Sequence, residues 1–282
     1  MGFLGEGVAV ITGAGSGIGR ELARQLAAQG SALALADVRE AGLAETAALL
    51  GGPAALNRGA VTQHVLDVSN EAAVKAFAQE VEEKHGRATL LINCAGVALL
   101  GKFEELSLEE FRWLMEINFW GTVASTKYFL PLLRKQPRAH LVNLSSVFGL
   151  VAAVGQSAYC ASKFAVRGFT ETLRHELAGT NVGVTCVHPG GINTAIAVSA
   201  RVSAGAAPGT REQELERGRR LLKLLPEKAA ARILRAVERR EGRVRIGLDA
   251  FQIDWLQRLA PSSYWTVLAK ILEDPSAGGA PR

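Results

Sequence analysis

Short apolar runs without strict alternation recur along the chain, separated by longer segments in which apolar residues return every three or four positions. The runs are "VAVIT" from Val8, "ALALAD" from Ala32, "HVLDV" from His64, "TLLIN" from Thr89, "HLVNLSS" from His140 and "GVTCVHP" from Gly183. Strands apolar on both faces are buried on both faces, as in a parallel sheet covered by helices. Segments with the helical period lie between them at Arg20 to Gln29, Glu71 to Lys84 and Leu108 to Lys135. This alternation predicts an α/β architecture: a doubly wound, parallel, seven-stranded sheet with right-handed crossovers, its last strand at "RVRIGL" from Arg243 to Leu248.

Helix punctuation agrees. Ser107 followed by Glu110 has the pattern of a capping box ahead of the long helix, which is expected to end near Arg134, before Pro137. Ser69, with Glu71 and Ala72, is expected to open the helix before it. With no internal repeat and no linker, residues 1–282 read as a single domain. Residues 195–225 are expected to form a substrate lid. It holds the small-residue loop "VSARVSAGAAPGT" from Val198, then "QELERGRRLLKLL" as an amphipathic helix either over the opening or packed on the domain. Residues 249–275 read as a C-terminal helical extension and 276–282 as a flexible tail. The extension is apolar enough for a subunit contact or a peripheral membrane contact, the first being favoured; otherwise Trp255, Tyr264 and Trp265 are core.

Directly after the first run, "TGAGSGIGRELARQL" places Gly13, Gly15, Gly17 and Gly19 ahead of a helix. Without side chains the backbone can turn tightly and approach a pyrophosphate, whose charge meets the amide N–H groups of the helix N-terminus. The register is neither GxGxxG nor a Walker loop, and a purely structural glycine turn is the alternative. Asp37 argues for the ligand. It ends the second run eighteen positions past Gly19, close to the spacing at which a carboxylate accepts hydrogen bonds from an adenosine ribose. The same charge repels a 2′-phosphate, so NAD is favoured, while Arg39 would partly neutralise it and admit NADP. A surface aspartate capping the next segment is the competing explanation.

Tyr159 and Lys163 are four positions apart in a helical segment from Ser157 to Ala178, so both side chains leave one face. A phenol titrates at about 10 and is a poor base near neutral pH. A nearby ammonium favours its anion, which makes it usable as a proton donor or acceptor. Ser146 stands at the C-terminal end of a strand thirteen positions earlier, the end that faces the ligand crevice of a parallel sheet. A core tyrosine and a turn-capping serine are the bland alternatives.

Composition narrows the field. The formal charge is +5, but the arginines gather in 211 to 245 among glutamates, the pattern of a solvated helix face and not of a nucleic-acid stripe. Three cysteines without a CxxC pair and five scattered histidines give no disulfide framework and no metal site. No run is long and apolar enough for a membrane span, no signal peptide precedes Val8, and Glu6 stands where a myristoylation signal needs serine or threonine, so the expected location is cytoplasmic.

These features sit within a longer ordered set, "TGAGSGIG", "LDVS", "NCAG", "INFWG", "NLSS", "YCASK" and "HPGGINT", between Val8 and Thr194. By that set the sequence resembles the short-chain dehydrogenase/reductase family, with its Rossmann fold. The resemblance implies Tyr159 as general acid/base, with Lys163 lowering its pKa and holding the nicotinamide ribose. It also implies that Ser146 orients the substrate oxygen and that Asn118 belongs to a proton relay reaching the lysine through water. It extends the cofactor site from the glycine loop, Ser16 and Ile18 included, to Asp67 and Val68 at the adenine, to Asn93, Ala95 and Gly96, and to Pro189, Gly190, Ile192 and Thr194 near the nicotinamide. Two positions depart from the pattern: Cys94 where asparagine is common, and Ser16 where NADP-using members often carry a basic residue.

The implied reaction is NAD(P)-dependent interconversion of a secondary alcohol and a ketone, or of a primary alcohol and an aldehyde. Ala98, Leu99, Val147, Phe148, Gln156 and Ile192, placed near the pocket by the resemblance, are largely apolar and point to a hydrophobic substrate. A homodimer or homotetramer is the implied assembly. The contrasting hypothesis is a dinucleotide-binding redox sensor or scaffold without turnover, against which the presence of both Tyr159 and Lys163 weighs.

Overall fold

Seven strands pair in parallel: β1 (Val8–Thr12), β2 (Ala32–Asp37), β3 (Val61–Val65), β4 (Leu90–Asn93), β6 (Ala139–Leu144), β7 (Val182–Pro189) and β9 (Arg243–Ile246). A separate two-residue pair joins β5 (Leu99–Leu100) to β8 (Arg201–Val202). The helices are α1 (Gly17–Gln29), α2 (Glu40–Leu49), α3 (Glu71–His85), α4 (Leu108–Met115), α5 (Gly121–Arg134), α6 (Ser157–Glu176), α7 (Ala195–Val198), α8 (Pro226–Glu238), α9 (Leu248–Leu259) and α10 (Tyr264–Leu272). The computed structural model describes residues 2–51, 60–207, 209, 211–213, 216 and 222–272.

The strand order is β3-β2-β1-β4-β6-β7-β9. The chain winds outward from β1 on one side, returns to β4 on the other and winds outward again. The carboxyl ends of β1 and β4 therefore flank the switch point where doubly wound sheets hold ligands.

Successive strand residues feed opposite layers. Ile11, Leu33, Leu35 and Ile92 pack with Leu22 and Leu26 of α1 and Ile233 and Leu234 of α8. Val10, Ala34, Leu91 and Leu141 pack with Phe77 of α3, Phe129 and Leu133 of α5 and Leu173 of α6. Apolar runs were therefore required on both faces, and the single domain follows from one sheet serving both layers. Among the described residues no helix is long and apolar enough to cross a membrane.

Several sequence expectations shift. The third strand begins at Val61, not His64, and ends at Val65 because β2, its pairing partner, ends at Asp37 opposite Val65. Asn70 caps α3, its Oδ1 accepting from Ala73 N–H at 3.1 Å, whereas Ser69 bonds to Asp67. The capping box is present: Ser107 Oγ accepts from Glu110 N–H at 3.1 Å and Glu110 Oε2 from Ser107 N–H at 3.0 Å. The long helix ends at Arg134 but is interrupted by a π-helical turn over Glu116–Trp120. Of the predicted lid helix, most lies outside the described residues; at its end the chain is extended, Leu224 pairing with Ile192. The tail 276–282 also lies outside them. Trp255 is half exposed and is not core, while Tyr264 and Trp265 pack against Val147, Val151 and Leu268.

Candidate active site

The glycine turn is held from behind. Arg20 donates to the Gly15 carbonyl at 2.5 Å and to Thr46 Oγ1 at 3.1 Å, and Thr46 Oγ1 donates to the Ala14 carbonyl at 2.8 Å. With its carbonyls engaged there, the turn leaves the N–H groups of Gly17 and Ile18 without a protein acceptor among the described residues. These are the orphan donors of a helix N-terminus. Gly13 has φ 70°, and a Cβ there would stand 2.8 Å from the Ala95 backbone. Thr12 Oγ1 binds the turn after β4 as well, accepting from Cys94 N–H and Ala95 N–H at 3.2 Å each.

At the end of β2, Asp37 accepts from Gly15 N–H at 2.9 Å and from Arg39 N–H at 2.9 Å, with the Arg39 guanidinium 3.8 Å away. A Cβ on Gly15 would come within 2.8 Å of this carboxylate. Across the opening, Thr194 lies over the start of α1, its Cγ2 3.1 Å from where a Cβ of Gly17 would be. An open cleft of ≈ 500 Å³ is lined by Ser16, Gly17 and Arg20 on one side and by Asn193, Thr194 and Pro226 on the other. Orphan amides, close-packed glycines and a carboxylate one strand away fit a dinucleotide, its pyrophosphate at the turn and a ribose at Asp37.

Not every expected cofactor residue is aligned this way. Asn93 is buried and its Nδ2 donates to Thr126 Oγ1 at 3.1 Å and Asn143 Oδ1 at 2.8 Å, tying β4 to α5 and β6. Asp67 is exposed and accepts from Ser69; Val68 is buried against Gly121. Ile192 belongs to the main apolar core. Gly190 donates to the Ile246 carbonyl at 2.8 Å.

The structure brings Tyr159, Lys163, Ser146 and Asn118 together. Lys163, 4% exposed, donates from Nζ to the Leu144 carbonyl at 3.1 Å and lies 5.6 Å from the Tyr159 ring centroid. Burial brings its pKa down to about 8. The Ser146 hydroxyl favours the Tyr159 phenolate. Burial pushes the phenol up to about 12, with the Ser146 hydroxyl pulling the other way. The lowering expected from Lys163 is not found: burial, which disfavours a phenolate removed from water, is the largest cause, and Ser146 is what opposes it.

Asn118 sits in the π-helical turn, where the extra residue turns its side chain toward the loop after β4. Its Oδ1 accepts from Val97 N–H at 2.8 Å, and its Nδ2 donates to the Val97 carbonyl at 3.0 Å and Ser162 Oγ at 3.1 Å. A Cβ on Gly96 would meet both Asn118 Oδ1 and Lys163 Nζ, at 3.2 and 3.4 Å. Of the expected substrate residues, Phe148 meets the Tyr159 ring edge to face at 6.3 Å, and Val147 lies in an apolar cluster with α9 and α10. Leu99 is buried in β5 beside Ala98, and Gln156 precedes α6.

Sequence reasoning missed three supports. Asp249 accepts from Gly191 N–H at 2.6 Å and holds the turn after β7. Ser145 Oγ donates to the Lys163 carbonyl at 2.8 Å, and Thr12 clamps the β4 turn. Thr12 could have been found by its place at the end of the first run; Asp249, far along the chain, left no local signal.

Residues 7–204 match the short chain dehydrogenase family, and the chain belongs to that family of oxidoreductases. It is similar to SadH of Mycobacterium tuberculosis, 44% identical over 93% of this chain and 94% of the relative. It is also similar to dehydrogenase/reductase SDR family member 7B of Xenopus tropicalis, 34% identical over 95% and 86%. Among solved structures, a short chain dehydrogenase/reductase of Burkholderia phymatum in complex with NAD matches with a TM-score of 0.83 and 31% identity, over 100% of both chains.

Proposed function

We propose that this protein is a cytoplasmic NAD-dependent dehydrogenase or reductase that interconverts a hydrophobic secondary alcohol and its ketone, or a primary alcohol and its aldehyde. The observation that carries this reading is Tyr159 on the helix face of a buried lysine, with the Ser146 hydroxyl favouring its phenolate, in a fold whose glycine turn leaves amides that suit a pyrophosphate. The similar Burkholderia phymatum structure, solved with NAD, supports the choice of cofactor.

When bound, the dinucleotide supplies the hydride acceptor or donor and, oxidised, a positive ring. The protein supplies the rest. Ser146 and Tyr159 together grip the substrate oxygen, and Tyr159 takes the hydroxyl proton on oxidation or returns it on reduction. Lys163 offers positive charge on the same helix face and a donor for the ribose, while Asn118 fixes the Val97 loop against Ser162. Positioning and charge placed in advance provide most of the acceleration. Asp37 disfavours a 2′-phosphate, so NAD is preferred over NADP.

Val147 and Phe148 make the pocket wall apolar. Phe251, Trp255 and Leu259, exposed on α9, favour pairing with a second copy. The reading is tested by screening hydrophobic alcohols and ketones for NAD(P)H absorbance change with both cofactors; absence of turnover across a broad panel would reject it.

A further inference from the structure

The residue ahead of the turn at Pro189 is His188, with no solvent exposure. None of the chemistry above uses it. Its Nδ1 lies 3.1 Å from the carbonyl oxygen of Ser146. A carbonyl only accepts, so Nδ1 carries the proton and Nε2 is the lone-pair nitrogen. Burial, helped by the charges of Arg243 and Arg167 and opposed by the Ser146 bond and Glu171, brings the imidazole down to about 4. At neutral pH the ring is uncharged and acts as a fixed donor.

Ser146 needs such a donor because it stands where the sheet lets go of the chain. β6 ends at Leu144, paired with Val187, and Ser145 N–H still reaches the Val187 carbonyl at 2.8 Å. The next residue, Ser146, starts a 3₁₀ turn over Val147–Gly149. Its carbonyl accepts from Gly149 N–H at 2.9 Å and its Oγ from Phe148 N–H at 3.2 Å. Those bonds set the shape of the turn; they do not set its place relative to β7. The imidazole of His188 supplies that link, from the sheet's own strand to the carbonyl of the residue whose hydroxyl favours the Tyr159 phenolate.

We propose that His188 is a positioning residue: its Nδ1–H bond to the Ser146 carbonyl fixes the Ser146 hydroxyl against Tyr159 and the substrate oxygen. The proposal rests on the Ser146–Tyr159 chemistry proposed above. It adds a requirement, a neutral side-chain donor immediately before Pro189.

The test compares His188→Leu, which fills similar space without a donor, with His188→Asn, whose Nδ2 donates from near the position of Nδ1. Each variant is measured for kcat, KM, the pH dependence of turnover and cofactor dissociation constant. His188→Leu is expected to lose roughly 10- to 100-fold in kcat, since a small misplacement of a reacting group costs that much. Its cofactor affinity should stay within about twofold and its tyrosine-dependent pH limb should move up as the Ser146 bond loosens. His188→Asn is expected to recover most of kcat. A leucine variant that turns over like the wild type, or an asparagine variant no better than leucine, overturns the proposal. A wild type inert toward every alcohol and ketone overturns the underlying chemistry instead. In that event ¹⁵N NMR of the His188 ring in the wild-type protein decides: the Nδ1–H neutral tautomer near neutral pH is expected, and the Nε2–H tautomer would contradict it.

Discussion

Lys163 Nζ donates to the Leu144 carbonyl at 3.1 Å while lying 5.6 Å from the Tyr159 ring centroid. The last residue of β6 thus holds the lysine beside the tyrosine ring, and the strand end and α6 act as one unit. Replacing Lys163 by methionine keeps the stem and removes the charge. We expect kcat to fall by about 100-fold or more, with weaker cofactor binding measured by fluorescence titration. Unchanged turnover would remove the lysine from the mechanism.

Asp37 accepts from Gly15 N–H at 2.9 Å, and in the proposed function its carboxylate also meets a ribose. Asp37→Ser should shift the ratio of NADP to NAD affinity toward NADP by about tenfold, about 1.4 kcal/mol, read by titration with each cofactor. A wild type that already prefers NADP would contradict the role given to this carboxylate.

Gly13 combines φ 70° with a backbone neighbour 2.8 Å from any Cβ. Gly13→Ala is expected to cost about 1–3 kcal/mol in denaturant unfolding, the range for a strained backbone position, and to weaken nucleotide binding by moving the turn. Full stability in the variant would mean the turn can relax without loss.

Two buried histidines set an acid limit on stability. Burial brings His140 down to about 3 and His188 to about 4, each below the ordinary value of 6.5. His140 is further fixed by Thr185: that hydroxyl donates to the Glu241 carbonyl, so it accepts from His140 Nε2–H at 2.7 Å. Between the folded and unfolded pKa values the unfolded chain binds more protons, so stability falls as pH falls below about 6.5. Each histidine contributes a slope of up to about 1.4 kcal/mol per pH unit. Denaturant unfolding across that interval should show the decline, with a shallower slope in His140→Gln; identical slopes would contradict the assignment.

Much of the fold was legible because burial on both faces leaves unalternated apolar runs, and because Ser107 and Glu110 announce a helix start locally. What escaped notice depended on partners distant in sequence. The third strand overshot because the place where Asp37 ends its neighbour decides where pairing stops. The π-helical turn at Asn118 is set by the bonds of that side chain to Val97 and Ser162. His188 and Asp249 act on Ser146 and Gly191 through contacts 42 and 58 positions away, which no local spacing records. Within the site, spacing alone brought Tyr159 and Lys163 to one face, but that burial is the largest influence on the phenol pKa, with Ser146 opposing it, required the packing.

The central claim is that Tyr159 moves the substrate proton. It is tested most directly by stopped turnover in Tyr159→Phe, using the best alcohol or ketone from the screen, alongside cofactor titration of the same preparation. We expect cofactor affinity within about twofold of wild type and turnover reduced by at least about 100-fold; a phenylalanine variant that binds cofactor and turns over at a comparable rate would contradict the account.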